Sequence, residues 1–163
     1  MKTAVIYYSY EGNCALIAEL IKDALGADLI ELQTVDDKKR QGISKYFWGG
    51  RQVIMKKTPP LKPYTLNTEA YDLIIIGTPV WAASPAPALN TFLEEQRISN
   101  KRIALFCCHA GGKGKVFDKI KSKLPGNTFA GEIDFINPAK QRREEISDKL
   151  NEWLRQQGLM PRL

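Results

Sequence analysis

Three runs of this chain, Ala4 to Tyr8, Leu73 to Ile76 and Ile103 to Cys108, are apolar without interruption. Strands read this way when both of their faces are covered, as happens in a parallel sheet with helices on either side. Two further runs admit charge, as edge strands can: Leu29-Ile30-Glu31-Leu32, and Phe129 to Phe135 with Glu132 and Asp134 interleaved. Helical patterns fall between the runs. Ile17, Leu20, Ile21 and Ala24 form a stripe ended by Gly26, and Val116, Phe117, Ile120 and Leu124 form another before Pro125-Gly126. A third, Ile146, Leu150, Trp153 and Leu154, ends at Gly158. Ser84-Pro85 and Asn137-Pro138 read as an N-cap followed by proline at the first helical position. Strand and helix patterns thus alternate along the whole chain, which predicts an α/β fold. With apolar strands central, charged strands outside and right-handed crossovers, the expected sheet has five parallel strands in the order 2-1-3-4-5 and helices on both faces.

At 163 residues the chain suits a single domain over residues 1–163. No apolar stretch approaches the roughly 20 residues a bilayer requires, and the first residues run directly into a strand pattern rather than a cleavable signal. A cytoplasmic protein with no membrane contact is expected. Cys14, Cys107 and Cys108 have no metal spacing, and a reducing compartment suits them. The net charge of +6 is concentrated: Lys38 to Lys62 carries +8 and Lys101 to Lys123 carries +6. These segments are either a surface for an acidic partner or solvated helix faces; no nucleic-acid motif accompanies them, so no nucleic acid is expected as partner. Lys38 to Pro63 also holds a possible helix with Ile43, Tyr46, Phe47, Gly50 and Ile54 on one face, while Trp48 falls off that stripe.

The predicted sheet order has a switch point between strands one and three, where the loops after strands one, three and four converge. The first loop, Ser9-Tyr10-Glu11-Gly12-Asn13-Cys14, sets a small, polar, glycine-bearing turn before a helix. Free backbone N–H groups and the helix dipole there would hold a monophosphate, and the absence of a following Lys-Ser or Lys-Thr disfavours a triphosphate. Glu11 is awkward beside an anion, and its carboxylate must turn to solvent or to a lysine. The second loop, Gly77 to Ser84, carries Thr78, Pro79, Val80, Trp81 and Ala82, and its indole could stack on a planar ring or pack beneath the loop. The third, Cys107 to Gly114, includes Cys108, His109, Ala110, Gly111 and Gly112, whose small residues let amides approach a flat ligand. His109 reads as a proton donor or as a loop-packing residue, but a lone histidine makes no zinc site. The cysteine pair reads as redox-active or as the buried end of a strand.

Taken in this order and spacing, Tyr7-Tyr8-Ser9, Lys45-Tyr46-Phe47-Trp48-Gly49-Gly50, Thr78-Pro79-Val80-Trp81 and Phe106-Cys107-Cys108-His109 make the chain resemble a short-chain flavodoxin over nearly its whole length. The resemblance implies bound FMN, with Ser9, Glu11, Gly12, Asn13 and Cys14 about its phosphate, Tyr10 also among the cofactor-binding residues, Thr78 to Ala82 against the flavin, and Cys108 to Gly112 at its pyrimidine end. It also implies electron transfer between protein redox partners, by a monomer or weak dimer. Two departures follow. Glu11 and Cys14 stand where the family turn commonly has hydroxyls, and Ala82 stands where glycine usually follows the loop tryptophan. A non-glycine residue at positive φ costs about 1 kcal/mol, so the peptide flip by which flavodoxins accept the N5 proton of the semiquinone is expected to be less available, and the semiquinone weakly stabilised. The basic charge favours acidic-faced partners over the basic ones that acidic flavodoxins meet. An NAD(P)H-dependent FMN reductase of quinones or similar small acceptors is the first alternative, and a flavodoxin-like module that has lost its flavin the second.

Overall fold

The computed structural model describes residues 1–35 and 58–161. The helix and aromatic cluster expected between Ile43 and Ile54, with Tyr46, Phe47 and Trp48, and most of the Lys38 to Lys62 basic segment, lie outside the described residues.

Five strands run parallel: β1 (Thr3–Tyr8), β2 (Asp28–Leu32), β3 (Leu73–Trp81), β5 (Arg102–His109) and β6 (Thr128–Ile136). A two-residue strand, β4 (Ser84–Pro85), pairs antiparallel with the end of β3 and lies off the main path β2-β1-β3-β5-β6. Apart from this insertion, the order is the expected 2-1-3-4-5. The three uninterrupted apolar runs are the three central strands, and every residue of β1 is buried. The edge strands β2 and β6 mix buried with partly and fully exposed positions.

Among the described residues four helices cover the sheet: α1 (Asn13–Leu25), α2 (Pro87–Glu95), α3 (Val116–Ser122) and α4 (Arg143–Gln156). Alternate residues of each central strand serve opposite layers. Val5, Ile75 and Phe106 face α1 and α4, meeting Ile17, Ile21, Ile146 and Leu154. Ile6, Ile76 and Leu105 face α2 and α3, meeting Leu89, Phe92, Phe117 and Ile120. One close approach depends on a missing side chain: a Cβ on Gly77 would lie 2.0 Å from the Phe106 ring. No helix among the described residues is long and apolar enough to cross a membrane.

Two local expectations need correction. Ser84-Pro85 does not cap a helix; it forms β4, and α2 begins two residues later, with Pro87 at its first position and Ala86 as N-cap. Asn137-Pro138 opens only a short 3₁₀ turn, Pro138–Lys140, in which Asn137 has φ 40 and makes no side-chain cap. In both places a proline after a small polar residue is compatible with an extended or turn conformation as well as with a helix start.

Candidate functional site

The carboxyl ends of β1, β3 and β5 open into one cleft. Ser9, Tyr10, Glu11, Asn13 and Cys14 line it from the first loop, Pro79, Val80 and Trp81 from β3, and Cys108, His109 and Ala110 from β5 and the residue after it. Convergence at the switch point therefore holds for residues from all three expected segments.

The first wall is a helix N-terminus. Gly12 is its N-cap, in the left-handed region at φ 100, and the place its Cβ would take is open. The Leu16 N–H donates to Gly12 O at 3.0 Å and the Ala15 N–H to Ser9 Oγ at 3.1 Å. Ser9 is thereby committed to positioning α1, and the N–H groups of Asn13 and Cys14 belong to the first turn, whose donors have no acceptor within the helix. Asn13 Oδ1 accepts from Ala139 N at 3.0 Å, which fastens this end of the helix to the Pro138–Lys140 turn. The Glu11 side chain belongs to an exposed residue, as an acidic group beside an anion site must be.

The second wall is strand rather than loop. β3 runs on through Thr78, Pro79, Val80 and Trp81, and the reversal is made by Ala82 and Ala83, at φ 49 and φ 57. Two consecutive alanines thus occupy positive φ, as the two-residue turn of a hairpin demands. Their strain is held by neighbours. Thr78 Oγ1 accepts from Ala86 N at 3.0 Å, and Lys119 Nζ donates to Ala83 O at 3.0 Å and Ser84 Oγ at 2.6 Å. Thr78 is fully buried and lies outside the cleft lining, so its hydroxyl braces the hairpin rather than facing a ligand. Ala82 is exposed and also lies outside the lining. Trp81 is half-buried, with the rings of Tyr8 and Tyr10 edge-on to it at 5.9 and 5.5 Å. The indole is thus part of an aromatic wall, and Tyr10 belongs to that wall.

The third wall is also mostly strand, since β5 extends to His109. Gly111 and Gly112 are exposed and outside the lining, so their expected approach to a ligand is not seen in this arrangement. The cysteines are free and buried. Burial, followed by the neighbouring Cys108 thiol, pushes the Cys14 thiol up, and burial likewise pushes Cys107 up. Buried protonated thiols are poor nucleophiles, which fits the strand-end reading. His109 Nε2 lies 2.7 Å from Asp134 Oδ2. Burial alone would raise the Asp134 carboxyl, but the His109 hydrogen bond and the Lys113 charge outweigh it and hold the group below the usual aspartate value. No set of three or more His, Cys, Asp or Glu among the described residues is placed to hold a metal.

A flavodoxin family model matches residues 2–157. The chain belongs to the flavodoxin family. Among curated protein sequences none matches it. Solved structures of the same fold include a Lactobacillus acidophilus flavoprotein in complex with FMN, 24% identical, with 91% of this chain and 97% of that one covered and a TM-score of 0.71. A flavoprotein candidate from Bacteroides uniformis is 21% identical over 94% and 97%, with a TM-score of 0.79. A Streptococcus pneumoniae flavodoxin is 16% identical over 97% and 98%, with a TM-score of 0.60.

Two residues of this flavodoxin-family cleft were not among the expected site residues. Asn137 lines it, its N–H donating to His109 O at 2.9 Å. Asp134 stands behind it as the partner of His109. Asp134 is visible in the sequence as a charge in an edge strand, but its pairing depends on the β5–β6 register, which sets Cys107 beside Asp134 and His109 beside Ile136.

Proposed function

We propose that this chain binds FMN and carries electrons between redox proteins. The observation that carries the reading is the single cleft that joins an open helix N-terminus to an aromatic wall. FMN, where bound, supplies reversible uptake of electrons. The Asn13 and Cys14 N–H groups and the dipole of α1 would hold its phosphate, and the open space at Gly12 lets an anion approach the backbone. Ser9 orients the helix through Ala15. Tyr10, Pro79, Val80 and Trp81 offer an apolar side to the ring, and Cys108, His109 and Ala110 offer the opposite end. The donors present suit a phosphate even with Glu11 and Cys14 in the turn, because the backbone rather than hydroxyl side chains does the binding.

The basic excess favours acidic-faced redox partners, met in the cytoplasm by a monomer or weak dimer. FMN and riboflavin should be titrated against the purified apoprotein by flavin fluorescence. With charge-assisted bonds each contributing about 1.5 to 3 kcal/mol, FMN should bind about tenfold or more tightly than riboflavin. Equal affinities would remove the phosphate site, and no binding of either would leave a flavin-free module. Rapid NAD(P)H consumption with a quinone, without any added reductase, would convert the carrier into an enzyme.

A further inference from the structure

On its β3 and β5 side the cleft mouth is bordered by small, exposed residues: Ala82 and Ala83 at the hairpin, and Ala110, Gly111 and Gly112 after β5. The two stretches adjoin, since a Cβ on Gly114 would come within 3.1 Å of Ala83 Cβ. Ile136, a large apolar residue left 53% exposed, is set beside His109 by the β5–β6 register. Uncharged surface of this kind suits the centre of a protein contact, because no charge has to be stripped of water there.

Lysines border this surface. Gly111 to Lys123 holds five lysines and one aspartate. That aspartate, Asp118, is met by Lys121, which also meets Glu132 at 3.1 Å, and Lys113 lies 3.6 Å from Asp134. The other three differ. Lys115, Lys119 and Lys123 recur every four residues across α3 and its two caps, which places them along one side of it, and all three are exposed. Lys119 donates to Ala83 O and Ser84 Oγ, and Lys123 to Asn90 Oδ1, all neutral oxygens. Among the described residues no ion pair neutralises any of the three. Like charges four residues apart on a helix repel, so the stripe costs stability until an opposite surface is laid on it. In the other helix layer, a groove between α1 and α4 is lined by Asp23, Glu144 and Asp148 with Arg143, and offers an acidic partner no comparable attraction.

We propose that a redox protein with an acidic face docks here, its carboxylates on the stripe of Lys115, Lys119 and Lys123 and its uncharged centre on the hairpin, the loop after β5 and Ile136. The proposal rests on the FMN reading above and places that reading's partner beside the cleft mouth. One electron passes from the reduced partner to the bound flavin, the partner leaves oxidised, and no bond forms or breaks on this chain.

The probe is an acidic plant-type ferredoxin, added oxidised to isotope-labelled, FMN-loaded protein. Amide signals of Ala82 to Ser84, Ala110 to Lys123 and Ile136 should shift, while those of α1 and α4 stay in place. With the ferredoxin immobilised, the double variant Lys115→Glu, Lys123→Glu should associate about tenfold more slowly at low salt, and Lys22→Glu, on α1, should stay within about twofold of wild type. Lys119 is kept because it braces the hairpin. Wild-type association should itself slow as salt rises. No shifts, shifts confined to α1 and α4, or a double variant that keeps its FMN and associates at wild-type speed overturns the proposal alone. Tighter retention of a DNA duplex than of the ferredoxin at the same salt also overturns it. Loss of FMN from the wild-type protein on gel filtration overturns the cofactor reading and the proposal together. Should the double variant fail to fold, the wild-type shift map decides.

Discussion

Two turns of the cleft bend the backbone through positive φ, and they are built in opposite ways. In the first, Gly12 stands at φ 100 with open space around it, so the residue suits its conformation and little else is needed. In the second, Ala82 and Ala83 stand at φ 49 and φ 57, where side chains are disfavoured. That turn is kept in shape from outside by Thr78, by Lys119 and by the close packing of Gly114, on which a Cβ would come within 3.1 Å of Ala83 Cβ. A turn whose own residue fits is stable locally, whereas a turn that relies on tethers is stable only while its surroundings hold. The hairpin beside Trp81 should therefore be the part of the cleft most easily loosened by distant substitutions.

The largest effect should come from removing the buried brace. Thr78→Val keeps the shape but leaves the buried Ala86 N–H without its acceptor, at a cost of about 1 to 3 kcal/mol. Urea unfolding should register that loss, and hydrogen exchange should speed up in Val80 to Ala86 while α1 stays protected. Equal loosening of both turns would show that they share one cooperative unit and are not held in different ways. Gly12→Ala should follow, costing about 1 to 2 kcal/mol from strain alone, since the added methyl meets nothing within 4 Å. Ala83→Gly should run the other way. Relief of strain, partly offset by the freer unfolded chain, should raise stability by about 0.5 kcal/mol. If Gly12→Ala is neutral or Ala83→Gly is destabilising, the tethers do not carry the strain assigned to them.

This difference also explains what could be read in advance. Core strands announce themselves because burial on both faces excludes polar residues, and so the runs from Ala4, Leu73 and Ile103 placed the sheet order and the mouth of the cleft. Gly12 was legible because the conformation and the residue agree. The hairpin was not: Ala82-Ala83 lacks the Asn-Gly or Gly signal of a two-residue turn, and the tethers that hold it come from residues as far away as Lys119. Gly111 and Gly112 illustrate the converse. Permissive residues allow a close approach without requiring one, and here both remain exposed. Asp134 and His109 lie 25 residues apart, and only the β5–β6 pairing brings them together. Periodicity carries no information about such a pair.

The smallest effect tests the third wall against the other two, through pH rather than shape. The Asp134 carboxyl is held below its usual value in the folded protein by His109 and by Lys113, against the opposing effect of burial. A group with a depressed folded value binds its proton more tightly in the unfolded chain, so its stabilising contribution is complete above the unfolded value, about pH 4, and is lost as pH falls through the folded one. Urea midpoints of wild type and Asp134→Asn should therefore differ most near neutral pH and converge as the solution is acidified below about pH 4. Thr78→Val should show no such convergence, because the bond it removes involves no group that titrates in that range. A gap between wild type and Asp134→Asn that stays constant with pH would mean that the carboxylate contributes only packing. The third wall would then be held, like the hairpin, by fit and neutral hydrogen bonds rather than by charge.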